Sequence, residues 1–369
     1  MNILYISKLE GKPWIGPTYS IPKQIASQRK VDNVLWYNLC KEGIEDGINT
    51  IQTWRQLDYY LDLESHPDGT IRSLPAPFNC PDLIIVEQGY PYARDTILHE
   101  IMTSRIPYIV IPRGELTVFA QKKKRIKKFL GNIVFGYPRF MRRALAIQFL
   151  TEQENSETSP KWSKKRIVVP NGTDIPELLT KPKTDHYTRG VFIGRIEPYQ
   201  KGLDLLIEAA LLIKSELKSA DIKIDLYGSD FENKLKELKR NVADYGLNDI
   251  VTFHDAIYGK EKSLVLQEAD IFLTPSRFEG HPTGLLEALS YGLPCLVTTG
   301  SNMRSEVERF DAGWTADNTS ESIKDALLKM IADKDSFPRK SENARHLAKQ
   351  YDWDEIAKKA HILYKELLQ

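Results

Sequence analysis

Eleven short apolar runs punctuate the chain, and their spacing restricts the fold more than any other feature. NILYIS, NVLWYNL, DLIIVE, YIVIP, LAIQFL and RIVVP occupy the first half, and GVFIGR, IKIDLYG, IVTFH, IFLTPS and PCLVTT the second. Each is strand-length and separated from the next by a helical stretch. Strands apolar on both faces, alternating with helices, belong to parallel sheets covered on both sides. The series breaks once, at the polar, proline-containing segment 176–190, PELLTKPKTDHYTRG. That places a linker there and predicts two doubly wound α/β domains, residues 1–175 and 176–352, with ligands in a cleft beyond their strand ends. At 369 residues the chain is long enough for two such cores.

Composition removes several function classes. The three cysteines, Cys40, Cys80 and Cys295, are scattered without a CxxC, and the seven histidines show no ligand spacing. Neither a disulfide framework nor a metal site is expected. No apolar run approaches the ~18 residues of a membrane span, and the opening MNILYISK reads as a strand rather than a signal peptide, which implies a cytoplasmic protein. Net charge is only +1, yet residues 113–166 hold 14 basic against 4 acidic side chains. An anionic partner is expected near that segment. Its centre, TVFAQKKKRIKKFLGNIVFG (117–136), projects Val118, Phe119, Ile126, Phe129, Leu130 and Ile133 to one helical side, with Lys124, Lys127 and Lys128 opposite. Lys123, Lys124, Lys127 and Lys128 form a candidate patch for an anionic membrane surface or for the diphosphate of a lipid-linked acceptor.

The chemistry concentrates in SRFEGHPTGLLEALSYGLPC, residues 276–295. Pro282 suits a first helical position, Leu285, Leu286 and Leu289 share a face, and Gly292 suits a left-handed cap, so a helix is predicted from about Pro282 to Tyr291. Glu279 then precedes the helix and Glu287 lies on its second turn. The N–H groups near Thr283, Gly284 and Leu285 would be open, and a glycine-bearing helix start is an anion site that favours phosphate. Carboxylates beside phosphate would repel it, but an ionised carboxylate accepts O–H donors from a vicinal diol. Phosphate flanked by two diols describes a nucleotide sugar. For an isolated pair of glutamates a solvated surface helix is the better account, so a second signal is needed. The turn GRIEPYQKG supplies it: Arg195 and Lys201 follow the first strand of the second half, and a guanidinium with an ammonium suits a diphosphate. The turn is neither a GxGxxG nor a Walker loop, and nucleic acid is not an expected partner.

Together, GRIEPYQKGLDLLIEA and ADIFLTPSRFEGHPTGLLEALSYGLP resemble the retaining glycosyltransferases of the large family 4 type, glycosyl transferases group 1, which includes sucrose-phosphate synthases and many bacterial polysaccharide enzymes. GPTYSIPKQI (16–25), IPRGEL (111–116), VVPNGTD (168–174) and YDWDEIAKKA are similar to further segments of that family. The resemblance implies a GT-B fold whose last helix, 353–369, packs back on the first domain. It implies a nucleotide-sugar donor, most often a UDP sugar, a saccharide or lipid-linked acceptor, and retention at the anomeric carbon. By the same resemblance Arg195 and Lys201 bind the donor diphosphate and Glu287 the ribose. Glu279 holds the transferred sugar, the backbone at Gly194, Gly280 and His281 to Leu285 lies near sugar and phosphate, and Gly16 lets the first loop approach.

Some relatives carry a histidine near the reacting sugar; here that neighbourhood, VEQGYPYARD, offers Tyr90 instead, with Arg113 as a second acceptor-side candidate. His281 reads as part of the turn. Asp352-Trp353-Asp354 spells a DxD, but it opens the last helix, where aspartates cap and stabilise a first turn, so no metal cofactor is expected. Two other readings stand beside the transferase: a non-catalytic partner subunit of the same fold, and a sugar-nucleotide epimerase.

Overall fold

The computed structural model describes residues 1–12, 15–40, 50–90, 92, 95–118, 121, 131–132, 134–163, 165–177 and 187–369. They divide into two compact units, Met1–Gly172 with Trp353–Gln369, and Thr173–Asp352. The division falls at 172/173 rather than 175/176 because Thr173 is already tied into the second unit: its N–H donates to the Tyr351 carbonyl at 2.6 Å, and it forms a parallel bridge with Asp352. The chain thus enters and leaves the second unit side by side. Of the expected linker, Thr188–Gly190 already belongs to a strand, and 178–186 lie outside the described residues.

The first unit holds β1 (Asn2–Ser7), β2 (Asn33–Asn38), β3 (Tyr60–Asp62), β4 (Leu83–Glu87), β5 (Tyr108–Ile111), β6 (Ala146–Phe149) and β7 (Arg166–Val168). The second holds β8 (Thr188–Ile193), β9 (Ile222–Tyr227), β10 (Val251–His254), β11 (Ile271–Thr274), β12 (Cys295–Thr298) and β13 (Gly313–Ala316). The sheet orders are β3-β2-β1-β4-β5-β6-β7 and β10-β9-β8-β11-β12-β13, and neighbouring strands run parallel. All eleven apolar runs form strands. The two additional ones, β3 and β13, lie at sheet edges.

Each strand feeds two cores, as period-2 alternation requires. Leu4 and Ile6 of β1 join Ile84, Val86 and Val110 on one face, while Ile3 and Tyr5 join Ile85, Ile109 and the closing-helix residues Ile356, Ala360 and Tyr364 on the other. In the second unit Ile224, Leu226 and Leu273 face one layer, and Val191, Phe272, Leu285, Leu286 and Leu289 the other.

Sequence order runs outward from β1 and β4 in one sheet and from β8 and β11 in the other. Between such strands successive connections pass to opposite faces, leaving a crevice at their carboxyl ends. In the second unit the loops opening from that crevice are 194–202 and 275–282, the two segments that carry the candidate site.

Candidate active site

The basic turn is built against the neighbouring strand end. Glu197 caps the short helix Pro198–Lys201 by accepting the Gln200 N–H. Gly202, with φ +63°, links it to the helix Leu203–Leu212, and a Cβ there would lie 1.9 Å from the Pro275 carbonyl oxygen. Only glycine satisfies both the dihedral and the contact. Lys201 is thereby pinned beside the loop that follows β11. Arg195 lies with its guanidinium 4.6 Å from the centre of the Phe231 ring and donates to Gln200 Oε1 at 3.2 Å.

Arg277 joins the two loops. Its backbone N–H donates to Gln200 O (2.8 Å), and its guanidinium donates to both Asp204 carboxylate oxygens (2.7 and 2.8 Å) and to Tyr199 O (2.8 Å), 4.6 Å over the Tyr199 ring. Burial pulls its pKa down, and the Asp204 carboxylate more than offsets this, leaving the group firmly cationic.

On the acidic side, Lys201 Nζ donates to Glu279 Oε1 at 2.6 Å and Ser276 Oγ donates to the same oxygen at 2.7 Å. The two side chains of the ion pair are 18% and 10% exposed. Both donors converge on Oε1, so Oε2 takes no hydrogen bond from a described residue and can accept one from a ligand. Asn302, itself left-handed at φ +59°, donates its Nδ2 to the carbonyls of Glu279 (2.6 Å) and Gly280 (3.0 Å), fixing the loop. His281 is buried, with Nε2 3.2 Å from Met303 Sδ and its ring 5.5 Å from that of Tyr351, so it serves the turn.

The helix runs Thr283–Ser290, with Pro282 as its cap and Gly292 left-handed beyond its end. The N–H groups of Leu285 and Leu286 both donate to Pro282 O. This corrects the expectation for Leu285, whose N–H is spent in closing the first turn; those of Thr283 and Gly284 have no partner among the described residues. Gly284 seats the helix on β8: a Cβ there would stand 3.2 Å from Ile193 O. Glu287 faces a partner with no warning in its own motif, pairing through Oε2 with Lys262 of the helix Gly259–Glu268. Gly194, at the end of β8, donates its N–H to Tyr227 O at 3.0 Å.

The first-unit candidates fare differently. Gly16 precedes the helix Pro17–Gln28 in ordinary right-handed geometry, and its carbonyl accepts the N–H groups of Tyr19 and Ser20. Tyr90 accepts from Gln121 Nε2 at 2.9 Å and lies edge-on to Tyr137, and burial raises its pKa. Arg113, the second acceptor-side candidate, is held inside its unit. Its side chain is 5% exposed and donates to Glu87 Oε2 (2.7 Å), Gln24 Oε1 (2.7 Å), Asn171 Oδ1 (3.0 Å) and Ser20 Oγ (3.3 Å). Lys123, Lys124, Lys127 and Lys128 lie outside the described residues. Asp354 pairs with Lys30 at 2.7 Å, and that contact lowers its pKa, as suits a helix-start aspartate in a surface ion pair. Arg277, Asn302 and Lys262 are the residues sequence reasoning passed over. The first lies inside the quoted motif, but its partner Asp204 is 73 positions away.

Two all-parallel units, each with a switch-point crevice, constitute a GT-B architecture. Over its whole length the chain is similar in fold to sucrose-phosphate synthase from Thermosynechococcus elongatus, with a TM-score of 0.76 at 14% identity, covering 100% of this chain and 99% of that one. It is likewise similar to Anabaena Alr3699/HepE solved in complex with UDP and glucose, with a TM-score of 0.70 at 18% identity, covering 99% and 100% of the two chains. Residues 179–360, the greater part of the second unit together with the start of the closing helix, match the family described as Glycosyl transferases group 1. Among curated relatives it is 33% identical over 138 residues to the amylovoran biosynthesis glycosyltransferase AmsK of Erwinia amylovora, covering 36% of this chain and 33% of the relative. It is 28% identical over 191 residues to the UDP-Gal:alpha-D-GlcNAc-diphosphoundecaprenol alpha-1,3-galactosyltransferase of Escherichia coli, covering 46% of each. The matches thus span between a third and a half of these relatives' lengths.

Proposed function

We propose that the chain is a retaining glycosyltransferase that moves a sugar from a UDP-sugar donor to a saccharide or lipid-linked saccharide acceptor, as in cell-surface polysaccharide synthesis. The observation that carries this is the switch-point constellation of the second unit: Lys201 bonded to Glu279, Arg195 on the adjoining turn, and two open N–H groups at a helix start. The bond from the anomeric carbon to the diphosphate breaks with its electron pair passing to the phosphate oxygen, where negative charge builds. Lys201, Arg195 and the helix start stabilise that charge, and because the fold holds them they do so with little reorganisation. Glu279 Oε2 accepts from a hydroxyl of the transferred sugar, and Glu287 from the ribose. The UDP in the HepE complex and the UDP-galactose in the name of the E. coli relative support a uridine donor.

Because cations and backbone dipoles meet the diphosphate charge, transfer proceeds without a bound metal. No helix among the described residues is long and apolar enough to cross a membrane; attachment to an anionic cytoplasmic surface is assigned to Lys123, Lys124, Lys127 and Lys128, each contributing about 1 kcal/mol. A thermal-shift screen against nucleotide sugars tests the donor, since a ligand at ~100 times its Kd adds about 2.7 kcal/mol of stability. Incubation of the selected donor with saccharide acceptors follows. Acceptor-dependent release of UDP, an unchanged anomeric configuration by NMR and full activity in EDTA are expected. A donor that binds but is epimerised without release of nucleotide overturns the reading.

A further inference from the structure

Glu287 does not stand alone as the proposed ribose carboxylate. Its side chain is 37% exposed, yet Oε2 is buried, takes no hydrogen bond of good geometry and lies against the ammonium of Lys262, itself 25% exposed. What Glu287 presents outward is therefore not Oε2. A carboxylate that takes a vicinal diol alone needs lone pairs on an accessible side, and here half of the group is sealed by a cation. The ammonium has three N–H donors and no acceptor, and among the described residues Lys262 contacts no acceptor side chain besides Glu287. With one carboxylate as its partner, the ammonium keeps donors that no described side chain takes.

A hydroxyl both donates and accepts. A carboxylate oxygen beside an ammonium can satisfy both roles at once, the hydroxyl donating to Oε1 and accepting from Nζ, without separating the ion pair. Because both partners are charged, each such hydrogen bond is of the stronger kind. We infer that Lys262 and Glu287 act as one composite recognition element for a ribose hydroxyl, and that Lys262 is a specificity-determining residue of the donor site. This rests on the reading of the second unit as a nucleotide-sugar site. The helix Gly259–Glu268 supplies the cation and the helix Thr283–Ser290 the carboxylate; Val265 and Leu266 of the first pack with Leu285, Leu286 and Leu289 of the second in one apolar cluster, which holds the pair in register.

Calorimetric titration of the full chain tests it. The nucleotide is whichever of UDP, GDP and ADP the wild-type protein binds most tightly, together with its 2′-deoxy and 3′-deoxy forms. Lys262→Met keeps the aliphatic stem and removes the donors. Loss of a charged hydrogen bond is expected to weaken ribonucleotide binding about tenfold in this variant. The deoxy form lacking the recognised hydroxyl is expected to change by less than about threefold, because the contact is already missing. Equal losses for all three nucleotides overturn the inference, since Lys262 would then act through phosphate charge or local folding. Unchanged or tighter ribonucleotide binding also overturns it, by showing Lys262 to be a counter-ion that the ribose displaces. Wild-type protein that binds none of the three nucleotides overturns the donor-site reading itself, and this role with it.

Discussion

The two units each carry an arginine or lysine paired with a glutamate at the carboxyl ends of central strands, but the pairs differ in what they leave open. In the first, Arg113 and Glu87 are 5% and 0% exposed, and the guanidinium spends its donors on four protein partners. In the second, Lys201–Glu279 and Lys262–Glu287 are each partly exposed, and Oε2 of Glu279 takes no hydrogen bond from a described residue. The first ties loops together through its guanidinium, while Glu87 Oε1 stays buried without a hydrogen bond. The other two stand at the crevice with side-chain area exposed.

That contrast can be broken most decisively at Arg113. Arg113→Ala strands the fully buried Glu87 carboxylate, and breaking one side of a buried pair costs about 3–5 kcal/mol. Urea unfolding followed by tryptophan fluorescence, with Trp36 and Trp54 in the affected unit, should show that loss, while nucleotide binding to folded protein stays within about threefold of wild type. A loss below ~1 kcal/mol would place Arg113 among the exposed pairs. The opposite signature is expected at the second unit. Lys201→Ala and Glu279→Ala should each lower kcat about 10²-fold to 10³-fold, as for removal of one preorganised electrostatic contact, with nearly unchanged urea midpoints. A kcat within threefold of wild type for either would remove it from the catalytic set.

Arg277 sharpens the comparison, because it positions loops as Arg113 does but lies next to the ligand groups. Arg277→Lys keeps the charge and loses the bidentate grip on Asp204. The expected result is about a tenfold fall in kcat from slight misplacement of Glu279 against Lys201, with KM changing little. A fall in stability with kcat intact would make Arg277 a scaffold like Arg113. The smallest effect is expected at the closing-helix aspartate: Asp354→Asn removes an exposed pair with Lys30 and should cost less than about 1 kcal/mol, with activity equal to wild type in the presence and in the absence of EDTA. Loss of activity restored by Mn²⁺ would return the DxD to consideration as a metal site.

What was legible in the sequence follows the same division. Central strands announce themselves as unbroken apolar runs because both faces are covered, whereas β3 and β13, at sheet edges, alternate buried and partly exposed residues over three and four positions and give too short a pattern to read. The helix Thr283–Ser290 was readable to within a residue at each end because proline and glycine mark its limits. The meeting of Glu279 and Lys201 was foreseeable because both lie on loops that open from neighbouring strand ends. The pairing of Glu287 with Lys262, of Arg277 with Asp204 and of Arg113 with Glu87 was not. Each joins residues distant in sequence, and a side chain's neighbours across a fold leave no periodic trace. Arg113 shows the cost: an arginine in a strand-end loop looks the same in sequence whether it faces a ligand or a buried carboxylate.

The seating of Trp353 bears on the order in which the molecule is made. A Cβ on Gly172 would stand 2.4 to 2.8 Å from atoms of the Trp353 indole, so the ring lies directly over the glycine backbone, and the helix Trp353–Leu368 then supplies Ile356, Ala360 and Tyr364 to the core beneath β1. During synthesis the sheet that needs this helix emerges first, and the helix only after all of Thr173–Asp352 has followed. At about 5–20 residues per second the wait is on the order of ten to forty seconds. Throughout that interval one face of the nascent first sheet lacks its final cover, and the second unit can fold before the first is finished. A ribosome-bound chain halted at Asp352 should therefore expose an apolar surface open to chaperones, and release of the last 17 residues should close it.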